Sequence, residues 1–174
     1  KDWVLCCDRE DIPCDSRNLA WKAAELYCRT AGKDPEGITI RVEKHIPSGA
    51  GMGGGSADAA AVLRGLRALY APALEDAQLE CMAAKLGSDV PYFIRGGTAL
   101  ATGRGEKLRP LPAMPPCWLV IVKPEESHST AAMYAAMDRA ENRTRSDSRA
   151  VLAGLESGDR SEEHTSELQS PLII

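Results

Sequence analysis

The apolar positions of this chain change period several times, and each change predicts an element. Leu19, Ala23, Leu26 and Tyr27 recur at helical spacing within DSRNLAWKAAELYCRTA, with capping residues before them and Gly32 just beyond. This predicts a helix over 15–31. In ITIRVE, Ile38, Ile40 and Val42 alternate with Thr39, Arg41 and Glu43, the period of a half-buried strand. Pro47 and a run of glycines then interrupt regular structure until Ser56, the expected N-cap of a helix along ADAAAVLRGLRALYA. That helix is small on its first turns (Ala57, Ala59, Ala60, Ala61), and Leu63, Leu66 and Leu69 or Tyr70 supply its buried stripe.

The pattern continues with a helix from about Leu74 to Leu86, closed by Gly87 at C′. Pro91 stops that pattern and opens a new turn within SDVPYF. GGTALATGRGEKLRPLP reads as a hairpin or edge-strand pair, with turn chemistry at Gly103 to Gly105. PAMPP, residues 112–116, is stiff and poor in N–H donors, which makes it the best domain boundary. Beyond it CWLVIVKP predicts a buried strand, and STAAMYAAMD (129–138) and RAVLAGL (149–155) predict short helices. The chain therefore reads as α+β, one domain followed by the start of a second.

Composition narrows the function classes. With 174 residues, 44% hydrophobic and 26% charged, the chain fits a globular protein of one domain or slightly more. The net charge of −4 argues against a nucleic-acid binder, so phosphate recognition, if present, must be local. No apolar run approaches the roughly 20 residues of a membrane span, and the opening KDWVLCCDRE is unlike a signal peptide, so a cytoplasmic protein is expected. Cys6, Cys7, Cys14, Cys28, Cys81 and Cys117 include no C-x-x-C pair, which favours free thiols over zinc or disulfides. His45, His128 and His164 are scattered and read as surface or strand-end residues.

The chemistry concentrates between Ile46 and Ala61, IPSGAGMGGGSADAAA. Glycine removes the Cβ atoms that keep main-chain N–H groups away from a ligand, and the following helix adds unpaired donors and the positive end of its dipole. Polyphosphate is the natural occupant. A Walker A loop requires a lysine where Gly55 stands before Ser56. Gly49, Gly51 and Gly54 match G-x-G-x-x-G, but a dinucleotide fold needs an acidic residue about 20 positions on at the end of a second strand, where this chain runs into Tyr70 and Pro72. The protein-kinase loop lacks its H-R-D and D-F-G companions. Lys44, Lys107 and Lys123 are candidate phosphate ligands, with solvated or snorkelling lysines the commoner case.

PSGAGMGGGSA, from Pro47 to Ala57, resembles the phosphate loop of the GHMP small-molecule kinases, and NLAWKAAELY, LGSDVPYF, GGTALATGRGE and WLVIVKP follow that family's order. The resemblance covers most of Asp2 to about Asp138. It is tightest to the branch that transfers phosphate from ATP to the 2-hydroxyl of 4-diphosphocytidyl-2-C-methyl-D-erythritol in non-mevalonate isoprenoid synthesis. It implies a GHMP kinase fold: a ribosomal-protein-S5-like N-terminal domain over 1–112 and the beginning of a ferredoxin-like C-terminal domain over 117–159. It implies ATP and Mg²⁺ as cofactors, a small-molecule partner, and a monomer or weak homodimer. Carried over residue by residue, Pro47, Gly49, Ala50, Gly51, Met52, Gly53, Gly54 and Gly55 would bind the ATP phosphates, with Ser56 near the β- and γ-phosphates or the metal. Asp89 would be the catalytic acid–base residue, Thr130 and Tyr134 would contact substrate, and Asn18 matches an asparagine of the family's N-L segment.

The bland alternatives are an ordinary N-cap role for Asp89 and a core role for Tyr134 beside Met133 and Met137. The rival functions are another kinase of the same superfamily, acting on mevalonate, homoserine or a sugar, and a nucleotide-binding module without catalysis. Arg160 to Ser170, RSEEHTSELQS, looks like a translated sequencing adapter, so 160–174 is set aside as a non-native tail. The family's first motif, with the lysine that pairs with the catalytic aspartate, and its third glycine motif are not found between Lys1 and Leu155. The expectation is a fragment that is inactive and poorly stable by itself.

Overall fold

The computed structural model describes residues 3–34, 36–71, 73–114, 116, 118–122, 135–136, 139 and 148–158. They fall into two compact units. One runs through Gly96 and includes the turn Gly103–Glu106; the other comprises Gly97–Thr102 and the described residues from Lys107 onward.

The first unit opens with β1 (Val4–Cys7), continues through α1 (Leu19–Ala31), and returns in β2 (Thr39–Val42), which pairs parallel with β1 in the register Val4 to Thr39 and Cys7 to Val42. A parallel pair requires a crossover, and α1 is that crossover. Asn18 caps it: its side-chain oxygen accepts from the Ala20 amide at 2.9 Å. Gly32 ends it at φ 59°, its amide donating to the Cys28 carbonyl. Ala20, Ala23, Ala24, Leu26, Tyr27 and Cys28 turn inward, which keeps the expected face and adds small residues that allow close helix packing.

α2 (Gly54–Tyr70) packs against α1, and α3 (Asp76–Ala83) and α4 (Val90–Arg95) complete the layer. The core gathers Tyr27, Ala59, Ala60, Leu63, Leu66, Leu79, Met82, Val90 and Ile94. A smaller cluster of Leu5, Ala20 and Val42 lies at the strand pair. Full burial of a side chain such as Leu63 contributes about 1.5–3 kcal/mol. The hydroxyl of Tyr27 is buried with no hydrogen-bond partner among the described residues.

Two sequence expectations are corrected in this unit, and one alternative left open is decided. α2 starts at Gly54, two residues before Ser56, because the chain turns at Gly53 (φ 68°) and the next two glycines fit the first helical turn. Of the two candidates for the end of its stripe, Leu69 is exposed and Tyr70 packs against the core. The helix expected over 74–86 is only α3: Glu75 and Gln78 form a capping box at its start, and residues 84–86 tighten into i→i+3 bonds such as Leu86 N to Ala83 O at 2.9 Å. Gly87 does not adopt positive φ there.

In the second unit β3 (Ala99–Thr102) and β4 (Lys107–Pro110) form the expected antiparallel pair, and α5 (Arg149–Ser157) is the expected short helix. The buried strand expected in CWLVIVKP is not found. Residues 118–122 carry no strand structure, and Trp118 to Val122 are exposed, because a strand exists only through its ladder and no described segment pairs with this one. The helix expected over 129–138 falls mainly, and the tail over 160–174 wholly, outside the described residues.

Candidate functional site

The glycine segment joins the exit of β2 to the start of α2. Gly49, Gly51 and Gly53 sit at φ 69°, 69° and 68°, while among the described residues only glycines have positive φ. The sign of φ thus alternates along Gly49–Gly53. Alternation of this kind is the backbone pattern of anion-binding nests, in which successive N–H groups turn toward one side. None of the amides from Gly49 to Ser56 donates to an acceptor among the described residues. Those of Gly54, Gly55 and Ser56 are the free donors of a helix start. The Ser48 hydroxyl oxygen is buried and also has no hydrogen-bond partner among the described residues.

These groups line a cleft of about 360 Å³ with Pro47, Lys44, Asp58, Asn18, Ile12, Pro13 and Arg17. Lys44 is not the snorkelling side chain expected: its side chain is only 6% exposed, and its ammonium lies 2.7 Å from Asp58 Oδ2. Gly54 makes this possible, since a Cβ there would lie 3.2 Å from Lys44 Nζ and from Ile46 Cγ2. Asp8, just past β1, anchors the same corner by accepting from the Lys44 amide at 3.0 Å, and that hydrogen bond holds its carboxyl below the usual carboxylate range. Asn18 borders the cleft, but its side chain is occupied by the α1 cap and by a 2.8 Å bond to the Pro13 carbonyl.

Asp89 stands elsewhere. It occupies the N-cap position of α4, yet its carboxylate makes no capping hydrogen bond, so the ordinary cap role does not account for it. It is not among the residues that line the glycine cleft. A Cβ on Gly105 (φ 115°), in the hairpin turn, would lie 3.4 Å from Asp89 Oδ1. One turn along α4, Phe93 meets the glycine segment at Gly53. Pro47, Gly49, Ala50, Gly51, Met52, Gly53, Gly54, Gly55 and Ser56 are therefore brought together, and Asp89 is linked to them through α4. Thr130, Tyr134 and Lys123 lie outside the described residues. Lys107 is exposed on β4.

Sequence reasoning missed Asp58, β1 and the Asp8 anchor. Asp58 had a signal, because it sits in the early turns of a helix whose start faces the β2 exit. β1 had little, because its partner is some 35 residues away.

A phosphate-bearing ligand fits this cradle on the observation of the orphaned amides and the Ser48 hydroxyl. Among the described residues no cluster of three or more His, Cys, Asp or Glu could hold a metal by itself. That does not conflict with magnesium carried on phosphates, which keeps several waters and needs one or two protein oxygens.

Residues 18–97 match the family described as GHMP kinases N terminal domain. The 4-diphosphocytidyl-2-C-methyl-D-erythritol kinase of Ligilactobacillus salivarius is 52% identical over 119 residues, 68% of this chain and 41% of that protein. The kinase of the same name from Macrococcus caseolyticus is 41% identical over 159 residues, 91% of this chain and 56% of that protein. A crystal structure of 4-(cytidine 5'-diphospho)-2C-methyl-D-erythritol kinase matches with a TM-score of 0.61 and 35% identity, covering 88% of this chain and 55% of that one. The chain thus spans about half the length of the relatives it matches, or less.

Proposed function

Because the chain belongs to the GHMP kinase family, we propose that it carries the nucleotide-binding half of an ATP-dependent kinase acting on 4-diphosphocytidyl-2-C-methyl-D-erythritol. The observation that carries this reading is the row of unspent amides from Gly49 to Ser56, set at alternating φ before a helix start. Phosphoryl transfer asks the protein mainly for position and charge. The loop amides and the α2 dipole would hold the β- and γ-phosphates, the Ser48 hydroxyl would donate a hydrogen bond to them, and Ser56 would stand near the metal. Mg²⁺ supplies neutralisation of the phosphate charge when bound. The uncapped carboxylate of Asp89 is the acceptor that orients and deprotonates the attacking hydroxyl. Thr130 and Tyr134 remain the substrate-side candidates, and a domain boundary near 112–117 belongs to the same proposal.

Two measurements test it. Titration of the chain with Mg²⁺–ATP, followed through backbone amide shifts, is expected to move Gly49 to Ser56 first; a response confined to other residues refutes the nucleotide site. In a protein of the relatives' length carrying these residues, phosphate transfer is expected to 4-diphosphocytidyl-2-C-methyl-D-erythritol and not to mevalonate, homoserine or a sugar. There Asp89→Asn should lower kcat by at least about 10²-fold, within the usual range for an acid–base residue. Binding of ATP with no transfer to any of these alcohols would favour a non-catalytic module.

A further inference from the structure

Phe93 touches the phosphate loop from the helix that carries the acid. A Cβ on Gly53 would lie 2.6 Å from Phe93 Cζ and 2.8 Å from Cε2, so the ring end rests against the bare Cα from which α2 departs. Only glycine tolerates this approach, and Gly53 is also at φ 68°. The ring is not loose: Tyr92 meets it edge-on with centroids 5.2 Å apart, and it packs against the buried core. Asp89 is the N-cap of this six-residue helix, and its carbonyl accepts from the Tyr92 amide at 3.2 Å, so the acid and the ring belong to one short hydrogen-bonded element. A shift of this helix relative to the loop would therefore carry the Asp89 carboxylate with it.

We propose that Phe93 is a positioning residue, a rigid spacer that sets the distance between the Asp89 carboxylate and the phosphate-binding amides. The proposal deepens the kinase reading and rests on it. A planar ring held at both ends transmits position where a flexible chain would not, and misplacement of a reacting group by about 1 Å can cost on the order of 10² in rate.

The test uses manganese–tripolyphosphate as a paramagnetic probe of the chain, reading relaxation enhancement at the amides of Asp89 and Val90. In the unsubstituted protein the probe is expected to bleach the Gly53 to Ser56 amides, which the magnesium complex shifts instead, and to broaden Asp89 and Val90 by a smaller, measurable amount. In Phe93→Ala the probe's Kd should stay within threefold while the enhancement at Asp89 changes by at least twofold, and Phe93→Leu should fall between the two. An unchanged enhancement at unchanged Kd overturns the spacer and leaves the kinase reading intact. Loss of probe binding in both variants assigns the ring to the core alone and overturns the spacer as well. Failure of the unsubstituted chain to bind the probe at the loop overturns the kinase reading and the spacer together.

Discussion

Gly51 and Gly53 share nearly the same backbone, φ 69° and 68°, yet only Gly53 has a neighbour where a Cβ would go. Alanine at Gly51 should therefore cost only the left-handed penalty, about 1–2 kcal/mol. Alanine at Gly53 adds a clash with Phe93 to the same penalty, and such overpacking typically costs a further ~1–3 kcal/mol. Urea midpoints of the two variants should separate in that order; equal midpoints would show that the ring moves aside freely. Tyr27 gives the opposite sign. Its hydroxyl is buried without a partner, so Tyr27→Phe removes a desolvated polar group and should raise stability by about 1 kcal/mol, read from the same denaturation curves. The glycine positions were legible from composition alone, because no other residue combines positive φ with an open flank. The burial of Lys44 was not, since a lysine's surroundings depend on which carboxylate the fold delivers, and Asp58 arrives from another element.

Among elements, the junction of β1, β2 and α2 is held by charge as well as by apolar packing. Asp8 accepts from the Lys44 amide, and Lys44 in turn pairs with Asp58 at the base of the glycine segment. The Asp8 carboxyl titrates below its unfolded value, so its contribution is present above the ordinary carboxylate range and is lost as pH falls through the lower folded value. Asp15 behaves likewise, lowered to about 2 chiefly by the Arg17 guanidinium, although both groups are exposed and this pair should respond to salt. Carboxyl-carbon NMR titration is expected to give both aspartates midpoints below those of a denatured control, and Asp8→Asn should abolish the acid-side loosening of the Lys44 amide in hydrogen exchange. Coincident folded and denatured midpoints for Asp8 would contradict this linkage. The main helices could be read from spacing because α1 and α2 pack one face each. The start of α2 was misplaced because glycine carries no helix signal of its own, and α3 was overextended because the tightened turn after Ala83 has the same apolar spacing as a helix.

For the whole molecule, the two units differ in how well they cover their apolar residues. Trp3 and Trp21 stack with centroids 4.1 Å apart, partly enclosed, whereas Trp118 stands fully in water beside the exposed run through Val122. Acrylamide should quench Trp118 preferentially, and Trp118→Phe should remove most of the quenchable emission and shift the remainder to shorter wavelength. A uniform quenching curve would mean that the run is covered in solution. Periodicity recognised that run as apolar, but it cannot say whether a partner strand lies beside it. A strand is a property of two segments, and sequence pattern describes one at a time.

Cys28 lies in the inward face of α1, where burial pushes its thiol pKa up, while Cys6, Cys14 and Cys81 face solvent. An alkylating reagent would consume the outer three promptly and reach the inner sulfur only when the first helix lifts away. The lag before that last modification clocks detachment of the helix beneath the glycine bend, and any guest that tightens the bend should lengthen it.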